Sequence, residues 1–217
     1  TKFCVHPESW FHSKTRVGGT KQLKMDVIHQ LSPDLILANK EENVKEQVEE
    51  LEKDYPVWIS DVNNLDDAYK MIGSIGHITG KLPAAEHLIS AIRFEFSQLE
   101  PSVYKLKTAY LIWKDPYMTV GDNTFIHSML EAAGFENVFA GKTRYPEVSI
   151  DELKAIKPDL LLLSSEPFPF RQKHIDELQH FLPATKIILA DGEMFSWYGS
   201  RLQYAPSYFN TLRNQLK

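Results

Sequence analysis

The sequence predicts a two-lobed α/β fold. Each lobe is a mostly parallel sheet flanked by helices, and a single long rigid helix joins the two. Three features point to this. The first is an internal repeat: Met25–Asn39 reads MDVIHQLSPDLILAN and Ile150–Ser164 reads IDELKAIKPDLLLLS. Asp26/Asp151, Pro33/Pro158, Asp34/Asp159, Leu35/Leu160 and Leu37/Leu162 match at a spacing of 151 − 26 = 125 residues, which is too long for a solenoid and suits two similar halves. The second is the aliphatic run after each Pro-Asp step, Leu35–Ala38 and Leu160–Leu163, the pattern of a strand buried on both faces. The third is the stripe Leu88, Ile92, Phe96 and Leu99 at helical spacing between the two copies.

Taken in order, Thr1–Val5 reads as a short strand or its end, and the 6–15 segment as a surface loop or one helical turn. Val17-Gly-Gly-Thr20 is a tight turn, in which glycine permits unusual backbone angles. The first repeat copy opens with an acidic residue on a short amphipathic helix, where its charge suits the positive end of the helix dipole. The helix stops before Pro33, because a residue preceding proline avoids the α region. Glu41–Lys53 reads as the next helix, and Glu41 and Glu42 are favourable at its start. Val57–Ser60 is a second buried strand. Residues 61–64 cap a helix over 65–79, which Gly80 ends. Pro83 starts the long helix, which stops before Pro101. Ala109–Trp113 is a strand. Asp122 or Asn123 caps the helix Thr124–Ala133, which Gly134 terminates. The second copy then runs helix, strand, helix (Arg171–Phe181) and strand (Ile187–Ala190). Together the copies form two βαβ units. An aromatic-rich polar loop, Asp191–Arg201, precedes a final helix from Ala205. The lobes are expected at residues 1–80 and 105–217, with 81–104 as the connecting helix.

Composition excludes several classes. The net charge is −5 and no basic run occurs, which argues against nucleic acid. No apolar stretch is long enough to cross a bilayer. A lone cysteine, Cys4, leaves no internal disulfide within these 217 residues. The catalytic signatures GxSxG, GxxxxGK[ST] and GxGxxG are absent, and none of the eight histidines sits in HxH or HExxH spacing. No metal is therefore expected to be held directly by the protein.

In a two-lobed α/β chain a ligand is expected in the cleft, against loops at the carboxyl ends of strands. Those loops hold Trp113, Tyr117, Met118, Tyr145, Phe168, Phe170, Phe195, Trp197 and Tyr198, beside prolines, glycines and charges rather than in periodic core positions. His6 lies near the same cleft, and His127 is the other histidine in reach. Amphipathic rings suit a flat, partly apolar ligand such as a corrin, a porphyrin or a siderophore chelate. Asp26 and Asp151 are explained by helix capping. As repeat-related carboxylates, one per lobe, they also suit a twofold partner carrying basic residues.

The sequence resembles the class III, helical-backbone solute-binding proteins of ABC importers, the superfamily of vitamin B12, haem and siderophore receptors. The resembling stretches are Val17-Gly-Gly-Thr20, the 32–38 and 39–43 segments, the 116–121 segment, Gly134-Phe-Glu-Asn-Val-Phe139, the 145–149 segment and Lys157-Pro-Asp-Leu160. They cover nearly the whole chain, and the cobalamin-binding branch is the most similar. The resemblance implies a monomeric substrate-binding protein, not an enzyme. It would deliver a cobalt- or iron-containing chelate to an ABC importer permease dimer, in the periplasm or at the cell envelope. It also implies that Asp26 and Asp151 dock on permease arginines, and that Phe3, Tyr145 and the acidic Glu193 face the ligand. Thr20, Asn39 and Ile112 stand where that branch has stacking aromatics. A strand and helix are further expected ahead of Thr1. Two other readings stay open: a tetrapyrrole metal chelatase-like enzyme, drawing on His6 or His127 with Glu193, and a cytoplasmic chelate-binding protein of the same fold.

Overall fold

The computed structural model describes residues 4–101 and 105–216. Phe3 lies outside the described residues, and Cys4 and Val5 are not in a strand. The chain divides into two compact units, Thr1–Asp61 and Val62–Lys217.

The first unit contains helix α1 (Glu8–Ser13), a hairpin of β1 (Gly18–Gly19) and β2 (Gln22–Leu23), and α2 (Met25–Leu31). Strand β3 (Ile36–Asn39), helix α3 (Lys45–Leu51) and strand β4 (Val57–Ser60) complete it. β3 and β4 pair in parallel, with Leu37 opposite Trp58 and Asn39 opposite Ser60. This is the βαβ unit expected from the first repeat copy. Ile28, Ala38, Val48 and Leu51 are its buried apolar residues. The helix expected from Glu41 begins only at Lys45. The Asn39 side chain holds Glu41 and Glu42 in a turn, its Oδ1 accepting their backbone N–H groups at 3.0 and 3.1 Å.

The second unit opens with α4 (Leu65–Ile78) and α5 (Leu82–Ser97). The helix placed in the first lobe by its position in the sequence therefore packs within the second unit. Its apolar face lies on α5, and the two cross so closely at Gly76 that an added Cβ would stand 2.4 Å from the Ala85 Cβ. Ile92 on α5 is fully buried, with Leu88, Phe96 and Leu99 packed around the same core, so the expected stripe faces inward.

Strand β5 (Lys107–Trp113) is followed by β6 (Met118–Thr119), α6 (Phe125–Ala132), β7 (Glu136–Asn137), α7 (Ile150–Ile156), β8 (Leu160–Ser164), α8 (Gln172–Phe181) and β9 (Lys186–Ala190). β8 pairs in parallel with β5 on one side and β9 on the other. β6 runs antiparallel to the end of β5, and β7 parallel to its start. Successive β8 residues point to opposite faces. Leu160 and Leu162 join the core with Tyr110, Met129 and Phe209, while Leu161 and Leu163 join Leu153, Leu178 and Leu182. Burial on both faces is what the unbroken leucine run encodes.

Thr124, rather than Asp122 or Asn123, caps α6, its Oγ1 accepting the His127 N–H at 3.2 Å. Thr124 is extended there, whereas Asn123 is left-handed at φ 53°. The segment read as an aromatic loop, Asp191–Arg201, instead contains the helical turn α9 (Glu193–Ser196) and the start of a 3-10 turn (Ser200–Gln203). α10 (Ala205–Asn214) follows.

Candidate functional site

Because β5, β8 and β9 are parallel, their carboxyl ends form one edge of the second unit, at Trp113, Ser164 and Ala190. This is where ligands sit in open α/β sheets. Two groups of side chains gather here. One is aromatic: Trp113, which is 40% exposed, meets Phe168 edge-on at 5.7 Å between ring centres. Phe168 in turn packs on Phe170 at 4.7 Å and on His174 at 5.4 Å. Burial holds His174 below its ordinary range, with Lys173 and Lys114 adding to the effect. Its Nδ1 accepts the Arg171 backbone N–H at 2.9 Å, so the neutral ring fixes the start of α8.

The other group is polar. Glu166 Oε1 accepts the Trp197 indole N–H at 2.6 Å, and the Ser196 hydroxyl lies 2.7 Å from the same oxygen. Burial pushes the Glu166 carboxyl above the usual carboxylate range. The charges of Glu193 and Asp191 add to that, while the Ser196 and Trp197 hydrogen bonds oppose it. Glu193 pairs with Arg201 at 2.8 Å, and its backbone N–H donates to Asp191 Oδ1 at 3.1 Å. The two loops meet at Gly192. A Cβ there would lie 2.5 Å from Glu166 Cγ and 2.6 Å from Ser164 Oγ, and the Gly192 N–H donates to Ser165 Oγ at 2.9 Å. Below them Ser164 accepts the hydroxyl of fully buried Tyr110 at 3.0 Å, and burial raises that phenol strongly. A cavity of about 490 Å³ adjoins this edge between α5 and α10. Met194 lines it, as does Tyr208, whose hydroxyl accepts the Asp191 N–H at 2.8 Å.

The structure therefore gathers Trp113, Phe168, Glu193 and Trp197 at one edge. Tyr117 is half-buried near it, its hydroxyl donating to Glu177 at 3.3 Å. Met118 and Tyr145 pack against the larger core cluster from the neighbouring loops. Phe195 is a correction: it is 0% exposed, wedged among Tyr110, Tyr208 and Phe209, because the α9 turn points it inward. Phe170 likewise belongs to the core, at 4% exposure. His127 also departs from the cleft reading, since its Nδ1 is 3.1 Å from Asn137 Nδ2 and its Nε2 is 3.6 Å from Glu131.

In the first unit Asn39 ends β3 as a turn-builder. Besides holding Glu41 and Glu42, its amide donates to Ser60 Oγ at 3.1 Å. Thr20 lies in the hairpin turn, its carbonyl accepting Asn43 Nδ2–H at 3.2 Å. His6 is exposed ahead of α1. Asp26 is an exposed residue in the first turn of α2. Asp151 occupies the matching place in α7, 91% exposed and 3.3 Å from Lys154. Sequence reasoning missed Glu166, Ser196 and Arg201. The available signal was a carboxylate immediately after a buried strand and ahead of Pro167. Among the described residues no group of three or more His, Cys, Asp or Glu could hold a metal ion, and no helix is long and apolar enough to cross a membrane.

Comparison with known proteins agrees with this architecture. The vitamin B12-binding protein of Vibrio parahaemolyticus is 25% identical over 154 residues, covering 69% of this chain and 56% of its own length. A substrate-binding lipoprotein of an ABC transporter from Bacillus subtilis, itself uncharacterized, is 22% identical over 156 residues, covering 66% of this chain and 49% of its own. The chain thus spans about half the length of the curated relatives it matches. Among solved structures, a periplasmic haem-binding protein in complex with two haems superposes with a TM-score of 0.81 at 18% identity, over 98% of this chain and 85% of that one. The periplasmic vitamin B12-binding protein of Vibrio cholerae does so with a TM-score of 0.74 at 16% identity, over 99% and 88%. These likenesses show a shared fold. The model of the periplasmic binding protein family matches residues 3–186, most of the chain, and the chain belongs to that family.

Proposed function

We propose that this chain is the substrate-binding component of an ABC importer. It takes up a corrinoid, haem or ferric siderophore at the carboxyl edge of the β5, β8 and β9 sheet and hands it to a membrane permease. The match of residues 3–186 to the periplasmic binding protein family carries this reading. The family is one of binding proteins and the named relatives are described as binding proteins, which favours this reading over the chelatase alternative. The aromatic group at Trp113 and Phe168 offers faces for a flat macrocycle, and the carboxylates at Glu166 and Glu193 offer acceptors for its polar rim. Asp26 and Asp151, each in the first turn of its helix, are the docking carboxylates, and the place of action is the periplasm or cell envelope.

The reading is tested by titrating tryptophan emission with cyanocobalamin, hemin and a ferric hydroxamate. A saturable one-to-one change with one of them is expected; silence with all three sinks the reading. For docking, Asp26→Lys with Asp151→Lys is expected to preserve ligand binding in solution and abolish uptake in cells. Uptake at the unsubstituted rate removes the docking role.

A further inference from the structure

Trp197 is a candidate ligand-facing ring, and its orientation depends on a carboxyl from a different loop. Its indole N–H has a single direction, so the 2.6 Å bond to Glu166 Oε1 fixes the ring edge that faces Glu166. Ser196 shares one hydroxyl proton between that oxygen at 2.7 Å and the Gly192 carbonyl at 2.9 Å. Glu166 itself has little room to move. Its Cγ and backbone nitrogen pack where a Gly192 side chain would stand, and its N–H and carbonyl both meet Ser164 Oγ, at 3.4 and 2.5 Å. The carboxyl is therefore carried on the rigid end of β8, while the indole is carried on the short α9 turn.

We propose that Glu166 is a positioning residue that latches Trp197, and with it the α9 turn, into the wall of the ligand site, and that protonation of its carboxyl loosens the latch. The ligand-related half of this rests on the reading of the chain as a chelate-binding protein. Charge-assisted hydrogen bonds are about twice as strong as neutral ones, so an ionised carboxylate holds the indole more firmly than a carboxylic acid does. Several groups act on that equilibrium. Asp191 and Glu193 from the β9–α9 segment favour the proton, as does burial. Arg201 is engaged with Glu193, and Tyr110 and Tyr208 remain neutral phenols through the accessible range because burial raises both. The loosening therefore falls at a pH above the ordinary carboxylate range, where an exposed glutamate is already ionised.

The test uses the whole chain without ligand first. Trp197 emission is isolated as the difference between each protein and its Trp197→Phe counterpart, which removes Trp10, Trp58 and Trp113 from the signal. Between about pH 4 and about pH 8 the difference is expected to titrate as one group, with its midpoint above that of an exposed glutamate. Glu166→Gln keeps an acceptor oxygen and the shape but not the charge, so Trp197 is held at every pH as it is by the protonated carboxyl, and the titration disappears. Glu166→Ala is expected to shift the emission to the red at every pH. An unchanged titration in Glu166→Gln overturns the latch, as does the absence of any titration in the unsubstituted chain. In the second arm, affinity for cyanocobalamin and hemin is expected to drop about tenfold in Glu166→Ala, with Glu166→Gln recovering most of the loss. Undiminished affinity in Glu166→Ala overturns the role at the ligand site. If neither of these probes nor a ferric hydroxamate binds the unsubstituted chain, the chelate-binding reading fails, and the emission arm alone still decides the latch. Should Glu166→Ala fail to fold, the titration of Glu166→Gln decides the latch by itself.

Discussion

The two copies of the repeat, α2–β3 and α7–β8, share a local design and differ in what surrounds it. Each helix carries an aspartate in its first turn and ends in a left-handed residue, Ser32 at φ 43° and ψ 61° and Lys157 at φ 52° and ψ 64°. Both of these precede proline, which explains why neither could continue in the right-handed region. Each strand ends in a short polar residue, Asn39 or Ser164, that accepts the backbone N–H of a glutamate two residues on, Glu41 or Glu166, at 3.0 and 3.4 Å. There the likeness stops. β8 is buried at all five positions between two parallel neighbours, whereas β3 pairs with β4 alone in the described residues and leaves Leu37 47% exposed. Local conformation is thus written into the repeat, while the energy it returns depends on how many neighbours each copy has.

The largest expected effect comes from truncating equivalent positions in the two strands. Leu162→Ala removes a fully buried side chain from the centre of the sheet and is expected to destabilise the second unit by about 2–5 kcal/mol. Leu37→Ala, at the matching place in β3, is expected to cost the first unit less than about 1 kcal/mol, because half of its surface is already in water. Urea unfolding followed by hydrogen exchange at β8 and β3 separates the units. Equal costs would show that burial does not distinguish the copies.

Next in size are the residues that close the strand ends. Ser164→Ala leaves the buried Tyr110 hydroxyl without the acceptor it uses, a loss of about 1–3 kcal/mol. Asn39→Ala undoes bonds that are half in water, and is expected to cost less and to let the 41–43 segment exchange faster. A greater loss at Asn39 than at Ser164 would reverse the comparison.

A smaller effect is expected from pH. The folded carboxyl of Glu166 is raised, so the native state holds its proton at pH values where the unfolded chain has released it. Stability therefore falls as pH rises from the ordinary glutamate value through the raised one, and Glu166→Gln is expected to flatten that part of the profile. A profile unchanged by Glu166→Gln would assign the slope to other groups.

The repeat itself was legible from five matched residues, and with it the parallel strands and the double-sided burial of β8. The leucine run and its Pro-Asp punctuation constrain structure locally. The site was legible only as a set of loops. Trp113, Phe168 and Trp197 stood out because rings beside prolines and glycines break core periodicity. Phe195 carries the same signal, yet it is core, because a one-turn helix inside the 191–201 segment turns it inward. Glu166 was invisible because its partner lies 31 residues away and only the side-by-side ends of β8 and β9 bring the two together. The boundary of the units was also hidden. The long stripe on α5 reads as a connector in sequence, while its packing against α4 depends on the small residues Gly76 and Ala85.

The smallest effect concerns the helix starts, where the copies differ at the capping position. Ser149 caps α7, its Oγ accepting the Glu152 N–H at 3.1 Å from an extended backbone, φ −88° and ψ 159°. The equivalent residue, 149 − 125 = 24, is Lys24, which has no side-chain cap and sits at φ −92° and ψ 84°. Ser149→Ala is expected to cost about 1 kcal/mol. Lys24→Ser gains less than that, because its ψ leaves a serine oxygen turned away from the third helical N–H. It also removes a positive charge from the positive end of the helix dipole, worth about 0.3–1 kcal/mol at low salt. Lys24→Met separates the two contributions, since it removes the charge without offering a cap. If the repeat's backbone at Lys24 is rigid, Ser and Met at that position stabilise α2 equally, and both gains shrink as salt is added. A serine that outperforms methionine at high salt would mean that the first copy can relax into the geometry of the second, and that side-chain chemistry alone separates the two helix starts.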